Sequence, residues 1–146
     1  MIKTKTFVLS TILLLSPLPT FAADTWQKLE LPTAIKTTQT ITAKPSGWEA
    51  SIGENEHQVV GVTVYDGHPD QQASLAPNIK TNKKDLQTTA SWQFSANSEI
   101  WMGVSFTNTA AVLYKKLPEK ITELRVKYDE KGFIQGLPII MNIDYR

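Results

Sequence analysis

Acid, imidazole and a rigid turn coincide once in this chain, at Asp66-Gly67-His68-Pro69-Asp70. Asp66, His68 and Asp70 alternate there, and His57 stands upstream, at the other end of an apolar run. Zinc asks for three or four N, O or S ligands in tetrahedral array, and calcium for more oxygens. Two acids and one imidazole around a Gly-x-Pro turn fall short of both. Turn chemistry explains the same residues more simply. Asp66 caps backbone amides, Gly67 takes a positive φ, and Pro69 stiffens the exit. The expectation is therefore no metal and no cofactor, with His57 and His68 both in polar loops.

Covalent catalysis fares no better. It needs a serine or cysteine beside a histidine and an orienting acid. The chain has no cysteine, two histidines and no serine in a nucleophile-elbow sequence. Of its 14 acids, 13 fall in or beside expected turns or on outward strand positions, as solvated carboxylates do. No catalytic residue is assigned.

Recognition is the remaining chemistry. Binding groups concentrate on loops anchored by rigid elements, and the Asp66–Asp70 loop follows the most apolar of the expected strands. Trp48 stands after Pro45-Ser46-Gly47, where a tryptophan can be exposed, and exposed Trp and Tyr favour interfaces; burial is nevertheless its default expectation. The candidate partner-binding rim is Trp48, Tyr65, Asp66, His68 and Asp70, with His68 exposed and Asp66 turned back onto the backbone. Trp92 and Trp101 read as a core pair across a hairpin. Lys80, Lys83, Lys84, Lys115 and Lys116 read as solvated faces, too sparse for a nucleic-acid footprint.

The elements that must hold these residues are short and β-like. Gln58–Tyr65 is the clearest strand, with Val60, Val62 and Val64 on one face and Gly61 marking a bulge or close approach. Strands are also expected over 37–43, 48–52, 91–94, 99–106 and 121–128, with 92–106 forming a hairpin. In the last of these Leu124, Val126 and Tyr128 point inward by strict alternation. Residues 78–90 read as a surface loop and Asp129–Gly132 as a turn. The fold class is mainly β: one antiparallel β domain, sandwich or partly rolled sheet, with at most short helices near 24–30 and 70–76.

The N-terminus speaks about destination. Lys3 and Lys5 precede an apolar run over 7–15, then Pro17, Pro19 and a small-residue site at Ala22, the three parts of an export signal. A spanning helix needs ~20 apolar residues, and the two prolines interrupt this one. Residues 1–22 are expected to be a cleaved signal peptide and 23–146 a single globular domain, periplasmic or secreted, without a membrane anchor. The mature chain then carries 13 basic and 14 acidic residues. That near-neutral balance gives no pull towards nucleic acid or an anionic membrane.

Laid out in order, Gly47-Trp48, Val64-Tyr65-Asp66-Gly67-x-Pro69, Leu75-Ala76-Pro77, Asn108-Thr109 and Leu117-Pro118 resemble a family of small uncharacterised periplasmic proteins of Gram-negative bacteria. The resemblance implies compartment and fold, and no activity. That family carries cysteines near the positions of Leu31, Val104 and Leu124, where packed aliphatics are expected here. Export, compact size and absent chemistry together lead to the expected function: a protein-interaction or inhibitor/immunity-type binding module with a periplasmic protein partner. The alternatives are a small-ligand carrier and a cell-envelope hydrolase.

Overall fold

The computed structural model describes residues 25–53 and 55–146. The expected signal peptide and its cleavage point near Ala22 lie outside them. The strands are β1 (Gln27–Leu29), β2 (Ala34–Lys36), β3 (Glu56–Asp66), β4 (Ser74–Leu75), β5 (Asn78–Asn82), β6 (Gln87–Gln93), β7 (Ile100–Phe106), β8 (Val112–Lys116), β9 (Glu123–Ile134) and β10 (Leu137–Tyr145). All pairings are antiparallel. One sheet runs β1-β10-β9-β6-β5; the second runs β2-β3-β7-β8, with β4 also on β3. Mainly-β architecture is thus what the chain adopts, as two curled sheets over one core.

Strict alternation builds that core. Ile100, Met102, Val104 and Phe106 of β7 are buried, and Leu124 and Val126 of β9 are fully enclosed. Trp92, Ala90 and Ile143 join them from the first sheet, and Val64 from the second. Burial of this kind stabilises by ~25 cal/mol per Å² of apolar surface, which lets the chain dispense with disulfides. Val104 and Leu124 are buried as expected, and Leu31 packs on the core's margin.

Several expected elements fall elsewhere. Residues 37–43 and 48–52 form no strand. The threonine-rich run has β propensity, but β2 already ends at Lys36, paired only with the first residues of β3, and propensity without a neighbouring edge makes no strand. Residues 78–90 are a hairpin rather than a loop. Every residue of β5 is exposed, because an edge strand need not carry apolar residues, and a Thr81–Thr88 hydroxyl bond at 2.9 Å ties it to β6. The hairpin expected over 92–106 is instead a crossing: β6 pairs with β5 and β9, while β7 pairs with β3 and β8.

Asp129–Gly132 continues β9, and the turn comes later at Gln135-Gly136, both at positive φ, the requirement of a type I′ hairpin. The helix allowed near 24–30 is strand β1, and only a 3-10 turn, Pro69–Gln71, stands near 70–76. The bulge expected near Gly61 is present, as a register shift between Val59 and Gly61. It resets the phase of β3, so Val59, Val62 and Val64 pack on the core and Val60 leaves the inward row.

Candidate functional site

The outward face of the second sheet follows from the inward one. If Ile100, Met102 and Val104 are buried, then Trp101 and Gly103 between them face away from the core. Register places Tyr65 beside Trp101 on one side and Lys116 on the other. The next outward row is Thr63, Gly103 and Tyr114. Three aromatic side chains, Tyr65, Trp101 and Tyr114, therefore stand on one face.

Their packing is specific. The Tyr65 and Tyr114 rings meet edge-to-face at 6.0 Å and 70°. Gly103 makes this possible, since a Cβ there would lie 3.0 Å from Tyr114 and 3.2 Å from Tyr65. The Tyr114 phenol is pushed above its ordinary pKa, first by desolvation, then by the Tyr65 phenol and its hydrogen bond, then by the Asp70 carboxylate. Trp101 Nε1 donates to Glu99 Oε1 at 2.7 Å, and Lys116 Nζ donates to Glu99 Oε2 at 3.1 Å. These two bonds, Trp101 first, hold the Glu99 carboxyl below its ordinary pKa.

The loop after β3 closes over this row. Gly67 has φ +84, a conformation that favours glycine, and its N–H donates to Glu99 O at 2.7 Å. Pro69 is buried at the first position of the 3-10 turn. The cap, however, is His68 and not Asp66. His68 Nδ1 accepts from the Asp70 N–H at 3.3 Å, and the imidazole stands edge-on to Trp101 at 4.7 Å. Asp66 takes part through its backbone, its N–H donating to Ala73 O at 3.0 Å. The difference arises because β3 runs on through Asp66, leaving it inside the ladder, while His68 falls where the 3-10 turn begins. His68 remains half-exposed and Asp70 is fully exposed.

The other residues of interest separate. His57 is not in a loop but is a buried residue of β3. Its Nδ1 donates to Thr107 O at 2.7 Å, and its Nε2 accepts from the Thr37 hydroxyl at 2.8 Å. Among the described residues no three His, Asp or Glu side chains come together as a metal site. Trp48 is 67% exposed rather than buried. It sits in the segment joining β2 to β3, which opens from the Glu56 end of β3, whereas Tyr65, His68 and Asp70 gather at the Asp66 end. Trp92 and Trp101 are not a pair. Trp92 lies in the core and donates its indole N–H to Leu75 O at 3.0 Å, while Trp101 faces outward.

The sequence reading therefore missed Glu99, Trp101, Tyr114 and Lys116. A signal for Trp101 was present, since adjacent residues of a strand cannot both face the core, and Met102 is the better filler.

A model of the family described as Type VI secretion system Tli immunity protein matches residues 54–138, more than half of the 146-residue chain. The chain belongs to that family. Searches among curated proteins and among solved structures gave no match. Membership makes this Tli-family chain an immunity-type binding module, the function expected from its sequence. The matched span runs from the start of β3 into β10. It includes Tyr65, His68, Asp70, Glu99, Trp101, Tyr114 and Lys116, and leaves Trp48 outside. No helix among the described residues is long and apolar enough to cross a membrane.

Proposed function

We propose that the chain neutralises a type VI effector by binding it in the periplasm, through the face built by Tyr65, Trp101 and Tyr114 with the His68 loop at its rim. The observation that carries this reading is the aromatic cluster itself. Its rings sit outward on a rigid four-strand platform, within the span that matches the immunity family. Interface energy concentrates in Trp, Tyr and Arg side chains that are preorganised and ringed by polar groups. Here Glu99, Lys116 and Asp70 form such a ring. The apolar run over residues 7–15, followed by a small-residue site at Ala22, supports export to the compartment where binding occurs.

Expression of each type VI effector of the same cell in the periplasm, with and without this chain, tests the reading. Growth restored against one effector, with a stoichiometric complex of the two purified proteins, is the expected result. Failure to protect against any of them, with the chain exported and folded, contradicts it.

A further inference from the structure

β8 is an edge, and a distinctive one. Among the described residues it pairs only with β7, and all five of its residues are exposed, although β7 beside it is the most buried strand of the second sheet. The Leu117 N–H donates to Ile100 O at 2.9 Å. In an antiparallel ladder the bonded residues alternate, so Leu113 and Lys115 direct their backbone groups to β7. Val112, Tyr114 and Lys116 direct theirs to the open side. Those same three residues place their side chains on the aromatic face, so the free edge and the face are continuous.

The charge on this edge is one-sided. Val112-Leu113-Tyr114-Lys115-Lys116 holds two lysines and no acid. Lys116 is already paired with Glu99. Lys115 stands opposite Met102, on the core side of the strand and at its rim. Charged residues in such positions discourage neutral strands from pairing at an edge. A second copy of β8 brings two more lysines and no carboxylate to answer Lys115. By contrast, β5, at the edge of the other sheet, carries none of the three clustered aromatics.

We propose that the effector docks on this edge through an extended acidic segment, which adds one strand to the second sheet alongside β8. The inference rests on the immunity reading above and names the chemistry of its partner. Main-chain hydrogen bonds from Val112, Tyr114 and Lys116 supply the attachment, as in other cases of strand addition. A carboxylate opposite Lys115 and apolar residues opposite Val112 and Leu113 supply the selectivity.

The test is amide hydrogen exchange, read residue by residue by NMR on the mature chain alone and with the effector it neutralises. Strand addition protects the Val112, Tyr114 and Lys116 amides on binding and leaves Leu113 and Lys115, already bonded to β7, nearly unchanged. Lys115→Glu weakens the complex by roughly tenfold or more, since a like charge replaces an attractive one at a desolvated contact, and Lys115→Arg retains affinity. A complex that forms without the alternating protection overturns the strand proposal and leaves the immunity reading standing. Alternating protection that rises with concentration of the chain alone assigns the edge to a second copy, and also overturns it. Unchanged affinity in Lys115→Glu removes the acidic character of the segment. If no effector binds at all, the immunity reading and the strand proposal fall together.

Discussion

His68 stands edge-on to Trp101, ring centroids 4.7 Å apart and planes at 73°, so the loop after β3 is fastened to the outward side of β7. The same imidazole caps the 3-10 turn. Two separate losses follow from His68→Ala. The cap contributes about 0.5–2 kcal/mol where such bonds have been removed, and the aromatic contact adds about 0.5–1.5 kcal/mol. His68→Ala is expected to lower the denaturant midpoint and shift Trp101 emission to the red. Asp66→Ala, which leaves the backbone ladder intact, is expected to change stability less.

Glu99 titrates below its ordinary range because the carboxylate accepts from the Trp101 indole and from Lys116. A carboxyl whose folded pKa is depressed favours the folded state above its unfolded pKa, and that contribution fades as pH falls through the folded value. The group is open to solvent, so the effect is local. NMR titration is expected to show the Trp101 indole N–H shift following the Glu99 carboxyl, with a midpoint below the ordinary glutamate range. Trp101→Phe is expected to raise the Glu99 midpoint.

Leu124 is fully enclosed, facing the second sheet from β9. Leu124→Ala is expected to cost about 2–5 kcal/mol, measured by urea denaturation. A midpoint unchanged by the substitution contradicts the register given to β9.

His57 ties three segments together, with β3 carrying the ring, Thr107 accepting from Nδ1 and Thr37 donating to Nε2. Removing it leaves a cavity and a buried carbonyl without its donor. Each unsatisfied buried group costs about 1–3 kcal/mol, so His57→Ala is expected to destabilise by at least that much. Faster exchange of the Thr37 amide, which donates to Asn55 O, is expected to accompany it.

Where inward alternation was unbroken, as in Leu124, Val126 and Tyr128, the sequence displayed strand and face together. The core positions Val104 and Leu124 followed directly. β5 was hidden because an edge strand with every side chain in water carries no apolar rhythm. The crossing between β6 and β7 was hidden because a short turn looks the same whether its flanking strands pair or part. His57 was misplaced because its flanks, Glu56 and Gln58, are polar, and its burial depends on bonds to Thr37 and Thr107, twenty and fifty residues away. At the site, the Asp66–Asp70 loop and Tyr65 were visible as a rigid turn after an apolar strand. Trp101 and Tyr114 were not, since their meeting depends on the register of β7 against β3 and β8.

The central claim is that the outward aromatic face carries recognition, and titration calorimetry of the purified chain against the effector it neutralises tests it most directly. Trp101→Ala and Tyr114→Ala are expected each to weaken binding by about 2 kcal/mol or more, the range of interface anchors, while both variants stay folded by circular dichroism. Trp48→Ala, at the other end of β3, is expected to bind as the unaltered chain does. Full affinity in Trp101→Ala and Tyr114→Ala, with affinity lost in Trp48→Ala, would place the interface on the segment between β2 and β3 and contradict the account.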